Sequence, residues 1–369
     1  VLYGDTILFV DGQTDALIVG SKGFNTRSIM EPDAEKALKG PREGFNEALM
    51  TNLSLVRRKL QTTDLKFVFS SAGTRSGTRI CICYLDSLVD KQVLNELKKK
   101  LESIQLDGVL DANYILENIQ DHRFSPFKTV GSTEKPDILA ARLLEGRVAI
   151  FVDGSPFVLT VPFLFVENFQ SPDDYYLHFL FATLGRILRL IGFFLTLSVP
   201  AIYVALVNYH QEIIPPPLML TISAATSGVP FPTVLECVSM LIVFEILRET
   251  GIRSSNKIGQ AISIVGGLVV GQSAVEAKII SAPMVIVVAL TGITGLITPK
   301  LKAASIIIRF SAIFMAAIGG ILGYYFVILL VWIHLLSLES FGYPFLQDFF
   351  PARRPVPKDS GLRAPIWSM

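Results

Sequence analysis

Four charged side chains sit where charge is costly. Glu236, Glu245, Arg248 and Glu249 fall within residues 233–250, an otherwise mostly apolar run. An acid inside an apolar helix faces its bundle, a partner charge or a water-filled path, because hydrocarbon solvates it poorly. Arg248 and Glu249 follow Glu245 by three and four residues, so Glu245 can pair with Arg248 on one helical face. Glu236 is left as the candidate functional acid. The competing reading places this helix at an interface, with its charges in water.

Other reactive side chains are sparse. His122, His178, His210 and His334 are scattered, with no nucleophile–base spacing, so no catalytic residues are assigned and an enzyme is not expected. Cys81 and Cys83 lie two apart in a strand-like run and share a face, and Cys237 lies in an apolar helix. No further Cys or His cluster completes a zinc site, so these are read as packed thiols and no metal or cofactor is expected. Gly73 and Gly77 flank Thr74-Arg75-Ser76, but neither phosphate-cradling glycine motif is present. Arg42, Arg57 and Arg58 read as an anion or partner site, or as a solvated face paired with Glu43 and Glu47.

Residues 257–276 carry two patterns. Gly259, Ser263, Gly267 and Gly271 recur every four residues, a seam that lets helices pack closely. Ile258, Ile262, Val265, Val269 and Gln272 form a second stripe, with Leu268 beside it. Such a helix suits a ring of subunits around an apolar constriction, which can gate by dewetting. It equally suits a bundle helix whose larger stripe faces lipid.

These residues need elements to hold them. The chain has 369 residues, 51% hydrophobic and 18% charged, with net charge +1. Its mean hydropathy of +0.50 is high for a soluble protein, and its near-neutral charge argues against nucleic acid as a partner. The expected fold is an α+β soluble N-terminal domain followed by an α-helical polytopic membrane domain of about five membrane helices, one broken or re-entrant. The expected boundaries are a soluble domain at 1–165, an amphipathic connector at 166–182, a transmembrane domain at 183–340 and a polar, basic tail at 341–369.

In the front domain, residues 6–20 and 148–161 predict β-hairpins, and Phe9-Val10-Asp11-Gly12 and Phe151-Val152-Asp153-Gly154 are near copies. Strands are expected over 65–71 and 79–84, and helices over 43–60, 90–104 and 135–144. In the apolar half, spans are expected over 186–208, 257–276, 281–299 and 303–336. A fifth is broken at Ser227–Pro232, between a short helix beginning at Pro215–Pro217 and the helix 233–250. No basic segment followed by an apolar run opens the chain, so no signal peptide is expected. The chain reads as a trimmed segment that its own membrane helices target. Arg186, Arg189, Arg248, Arg253, Lys300 and Lys302 fit five crossings, which would leave the tail outside. The basic Arg353, Arg354, Lys358 and Arg363 oppose that, and the parity stays open.

Several of these stretches resemble the A-subunit family of bacterial spore germinant receptors, the GerA-type spore germination proteins. They are Glu31-Pro32, Gly40 followed by the motif Pro41, Arg42, Glu43, Gly44 and Phe45, Thr51-Asn52 with Arg57-Arg58, and Ile214-Pro215. Val229 to Pro232, Phe244 to Glu249, Ile258 to Ala261, Val269 to Gln272 and Ala274 to Ala277 match as well. The resemblance covers nearly the whole chain and includes the SpoVAF-like paralogues. It implies a multi-pass protein of the spore inner membrane that self-associates, as a pentamer, into a gated cation channel. It also implies a transporter-like B subunit that binds nutrient and a lipoprotein C subunit as partners, with membrane lipid around it. On that reading the pore and gate residues are Val265, Leu268, Val269 and Gln272. A solute transporter, or a scaffold or sensor of the germination complex, are the alternatives.

Overall fold

The structure is a computed structural model, and it describes residues 6–9, 12, 16–19, 28–32, 35, 39–253, 266, 267, 269–347, 359, 363–365 and 367. The chain folds into two compact units. One holds residues 1–36, 41–116 and 132–160, and the other holds 37–40, 117–131 and 161–369.

The first unit is α+β. Strands β1 (Thr6–Phe9) and β2 (Ala16–Val19) form an antiparallel hairpin, with Thr6 opposite Val19 and Phe9 opposite Ala16. A five-stranded sheet follows in the order β3-β4-β6-β7-β5. Its strands are β3 (Leu65–Ala72), β4 (Thr78–Leu85), β5 (Gly131–Thr133), β6 (Val148–Val152) and β7 (Val158–Val161). β4 pairs antiparallel with both β3 and β6. Every residue of β6 is buried, which explains its unbroken apolar run in place of alternation. Gly12 and Gly154, the turn residues of the two near-copied segments, share a left-handed φ of 87° and 88°.

Helices α1 (Leu49–Lys59), α2 (Lys91–Glu102), α3 (Ala112–Ile119) and α4 (Pro136–Leu144) complete the layer. α1 and α4 pack Leu53, Val56, Leu139 and Leu143 onto Cys81, Cys83 and Phe151 of the sheet. α1 begins six residues later than the apolar spacing from residue 43 predicts. Residues 43–48 are held out of the helix by long-range and side-chain bonds. The Gly44 N–H donates to the Met30 carbonyl at 3.0 Å and the Phe45 N–H to the Glu134 carbonyl at 2.7 Å. Asn46 and Asn52 close the segment with N–H to Oδ1 at 2.9 Å and Nδ2–H to O at 2.6 Å.

The second unit is helical. α5 (Asp173–Tyr176) leads into α6 (Phe179–Tyr209), followed by α7 (Pro216–Thr226) and α8 (Thr233–Arg253). Then come α9 (269–276), α10 (Ala282–Leu296) and α11 (Lys302–Ser337). Among the described residues, two stretches are long and apolar enough to cross a membrane: Phe179–Tyr209 and Pro299–Ser337. The interruption between α7 and α8 lies at the predicted Ser227–Pro232 break.

The long last helix is not one rod. At Gly320 the backbone leaves helical geometry, with φ 60° and ψ −142°. Gly323 then passes so close to the Met315 carbonyl that a Cβ there would fall 2.0 Å from its oxygen. In a straight helix those residues stand about 12 Å apart along the axis, so α11 doubles back into two antiparallel arms, 302–319 and 321–337. The contacts at its ends agree. Lys300 Nζ donates to the carbonyls of Glu167 and Gln170, and the Phe165 N–H donates to the Phe345 carbonyl. Both outer ends of α11 therefore meet residues 165–170, just before α6. Its turn meets the other end of α6, where the Tyr209 hydroxyl donates to the Ala317 carbonyl at 2.7 Å. The expected single 303–336 span is thus two arms, and residues 339–347 lie at the end of this unit where α6 begins.

The doubling-back makes a test. Gly323→Ala is expected to cost about 3 kcal/mol, the top of the usual range for overpacking. Gly319 is a matched control, because a Cβ there has nothing within 4 Å. Gly319→Ala is expected to stay within about 0.5 kcal/mol of wild type. Thermal unfolding of the two variants in one detergent checks the difference, and equal midpoints would mean that the two arms do not touch as described.

Candidate functional site

The polar groups of the helical unit form three separate sets. Glu236, in the first turn of α8, is 2% exposed. Its carboxylate accepts the Ser281 N–H at 2.9 Å and the Ser281 hydroxyl at 2.8 Å. Ser281 is the N-cap of α10 and makes no cap bond with its own side chain. The acid of α8 thus satisfies an amide at the start of α10, where the helix dipole favours negative charge.

The second set joins α8 to the first arm of α11. Glu245 receives Arg309 Nη2 at 2.7 Å and also pairs with Arg248. The Arg309 side chain is only 2% exposed, against 19% for Glu245 and 12% for Arg248. Arg309 also stacks over Phe310 at 5.6 Å. Glu249 is exposed and lines an open groove of about 390 Å³ with Glu245, Lys302, Ile242, Ile306 and Phe310.

The third set lies where α5 meets α6. Arg186, 2% exposed, donates to Asp174 at 2.8 Å and to Asp359 at 2.7 Å. Arg189 donates to both Asp174 oxygens, at 2.9 and 2.6 Å. Burial alone would raise the Asp174 carboxyl, but the hydrogen bonds from Arg189 and Arg186 more than offset it and hold the group below the usual carboxylate range.

α9 has two different sides. Gly271 is buried, and a Cβ on it would meet Val285 of α10 at 3.5 Å. Gly267 and Gly271 border an apolar cavity of about 160 Å³ with Met240, Phe244, Leu247 and Val285. Val269 is 53% exposed, and Gln272 and Glu276 are exposed one and two turns further on. The Gln272 amide donates to Glu276 at 2.9 Å. Of the predicted pore and seam residues, Val265, Leu268, Gly259 and Ser263 lie outside the described residues.

In the first unit the motif of residues 41–45 is built into the packing. Gly44 and Phe45 are buried, Pro41 and Glu43 half-buried and Arg42 exposed. A Cβ on Gly44 would meet the Met30 carbonyl at 2.8 Å. Arg58 pairs with Glu43. Arg57 donates to the carbonyls of Thr62 and Leu65 and stacks over Phe67 at 4.9 Å. Burial pushes the Cys81 thiol up to about 12, far from a reactive thiolate at neutral pH. Among the described residues, no three His, Cys, Asp or Glu side chains gather as a metal-holding group.

The link from Glu245 to Arg309, across 64 positions, and that from Arg186 to Asp359 were not anticipated from the sequence. Arg186 and Arg189, spaced for one helix face, were the only local signal of the latter.

The comparisons bear on the whole chain. The family described as Bacillus/Clostridium GerA spore germination protein matches residues 1–369. An uncharacterized membrane protein, YfkQ of Bacillus subtilis strain 168, is 44% identical over 371 residues, covering 100% of this chain and 72% of its own length. Spore germination protein KA of the same strain is 44% identical over 370 residues, covering 100% of this chain and 68% of its own. The crystal structure of the N-terminal domain of the A subunit of the Bacillus megaterium spore germinant receptor GerK3 is 40% identical over its match. That match covers 33% of this chain and 97% of that one, with a TM-score of 0.28. By its match from first residue to last, the chain belongs to the GerA spore germination protein family.

Proposed function

We propose that this chain is a membrane subunit of a nutrient-responsive spore germination receptor. Several copies, a pentamer on the family resemblance, assemble into a gated cation channel in the spore inner membrane. A transporter-like B subunit binds the nutrient, and a lipoprotein C subunit completes the receptor. α6, α8, α9, α10 and the two arms of α11 lie in the bilayer.

What supports this reading is the two-sidedness of α9. One side is seated on α10 through Gly271, which faces Val285, and borders the apolar cavity lined by α8 and α10. The other carries Val269 and Gln272, exposed in the single chain. Around a symmetry axis that side would face a pore, with Val269 contributing an apolar constriction of the kind that gates by dewetting. Nutrient on the partner would open it by binding the open state more tightly than the closed one. The solute-transporter alternative draws on the buried Glu236 beside the interrupted backbone of residues 227–232.

Single-channel recording of the purified chain in planar bilayers tests the channel. Wild type is compared with Val269→Ala, with and without the companion subunits and nutrient. Discrete openings that last longer in the variant are expected. Silence from folded, oligomeric protein with all subunits and nutrient present would favour the transporter or scaffold.

The bilayer assignment has its own check. The native Cys81, Cys83 and Cys237 are buried, so single exposed cysteines can be introduced at Ala303, Ser337, Gln211 and Gly319. A membrane-impermeant maleimide is expected to reach 303 and 337 from one side of sealed vesicles and 211 and 319 from the other. Labelling of 303 and 337 from opposite sides would mean that α11 crosses only once.

A further inference from the structure

A turn at the end of the helical unit where α6 begins holds an aromatic side chain out of the packing. Residues 117–131 belong to this unit. The Ser125 N–H donates to the His122 carbonyl at 3.1 Å, closing a turn with Arg123 and Phe124 at its two central positions. His122 and Arg123 are exposed, and Phe124 is fully exposed. Three residues on, Phe127 has the opposite fate. It is buried, with its ring 6.0 Å from Phe165 and 6.2 Å from His334.

The turn is pinned to the end of the second arm of α11. The Ser125 hydroxyl meets His334 Nε2 at 2.9 Å and accepts the Phe127 N–H at 3.1 Å. The Phe341 N–H donates to Asp121 at 2.9 Å, and the Ser340 hydroxyl donates to the Thr129 carbonyl at 2.6 Å. The tip is therefore held near the level of His334, one turn before α11 ends at Ser337. The arm 321–337 is about 25 Å long at about 1.5 Å per residue. That length crosses most of the roughly 30 Å hydrocarbon layer, so the arm ends where hydrocarbon gives way to headgroups. Ile333 and Leu336, on its last turns, are exposed as well.

A ring at that depth buries its apolar body while the turn that carries it stays wet. Arg123 and Lys128 are exposed on the same short segment, and cations at this level are drawn to anionic headgroups. A protein partner is a poorer match. One phenylalanine covers about 150–250 Å², whereas a specific protein interface buries about 1,200 Å² or more. A lipid anchor needs no more than one ring where helices already hold the chain in the bilayer.

We infer that the turn 122–125 is an interfacial membrane anchor. Phe124 enters the edge of the leaflet on the side where α6 begins, and Arg123 and Lys128 meet its anionic lipid headgroups. The inference rests on the placement of the α11 arms in the bilayer proposed above.

The test is tryptophan fluorescence of the full chain in vesicles of phosphatidylcholine and phosphatidylglycerol, with bromines placed high or low on the acyl chains. The native tryptophans are Trp332 and Trp367. One variant, Trp367→Phe, keeps only Trp332, on the second arm of α11. The other combines Phe124→Trp with Trp332→Phe and Trp367→Phe, so that the turn carries the sole indole. The indole at position 124 is expected to lose about half of its emission to the high bromines and less to the low ones, and to be shielded from aqueous acrylamide, as a ring at headgroup level is. Adding Arg123→Gln and Lys128→Gln is expected to weaken that shielding in the mixed vesicles and not in phosphatidylcholine alone. Unchanged shielding would overturn the part given to the two cations. Bromine quenching of Trp332, with the indole at 124 open to acrylamide and untouched by bromine, would overturn the anchor and leave the bilayer placement standing. Quenching at neither position would sink both. Phe124→Cys carrying a nitroxide repeats the depth reading without the added indole, the native cysteines being buried. A nitroxide that collides with an aqueous nickel complex more than with dissolved oxygen would overturn the anchor by itself.

Discussion

The layout of the helical unit follows from one close passage: the Gly323 backbone lying against the carbonyl of Met315. No residue with a side chain could make that approach. Because it happens, the most apolar stretch of the chain folds into two arms of about 27 Å each, at about 1.5 Å per residue. Both arms run beside α6. Tyr209 caps their turn from one end of α6, and Ser198 meets Tyr324 at 2.7 Å partway along. Residues 339–347 are thereby returned to the end where α6 begins. There Phe163 and Phe165 receive them through the Ser340 hydroxyl and the Phe345 carbonyl. The contacts of the tail with the α5–α6 junction depend on that return.

Where the sequence is read locally, it reads well. β3 and β4 are set by short apolar runs on either side of the Gly73–Gly77 turn, α2 by Asp90 capping Gln92 and α4 by Pro136 at its start, and these signals lie within a few residues of what they specify. The failures share a cause. Residues 43–48 have helical spacing, but bonds to Met30 and Glu134 hold them extended, and no neighbouring residue signals this. Gly319-Gly320 sits in an unbroken apolar run, where paired glycines read as a packing seam as readily as a turn. Within the candidate site, the pairing of Glu245 with Arg248 was legible because three residues separate them. The second partner of Glu245, Arg309, lies 64 positions away and leaves no such spacing. Asp174 and Asp359 gave no signal, because a partner 173 positions away leaves no periodic trace.

The acids of the helical unit show how one chemical problem receives three solutions. Glu236 is stabilised by an amide and a hydroxyl at a helix start, Glu245 by two guanidinium groups, and Asp174 by two others. In each case the acid links elements that propensity alone would leave independent: α8 to α10, α8 to α11, and α5 to α6. Such pairs add little net stability over well-packed apolar residues, because desolvation offsets most of the attraction. Their value lies in register, since a helix slipped by one turn would strand a charge.

That contrast bears on α9. Elsewhere in the unit, the carboxylates of Glu236, Glu245 and Asp174 are answered by groups from other elements. On α9 the Gln272 amide donates to Glu276 one turn along, and both remain exposed beside Val269. A face meant wholly for lipid would not carry an amide and an acid at successive turns, because hydrocarbon solvates neither. A face meant wholly for water gains nothing from Val269, 53% exposed. Apolar constrictions and acidic rings are two devices from which cation paths are built. On the proposed assembly, copies of this helix supply those rings, and the same residues on one isolated chain look mismatched with either solvent.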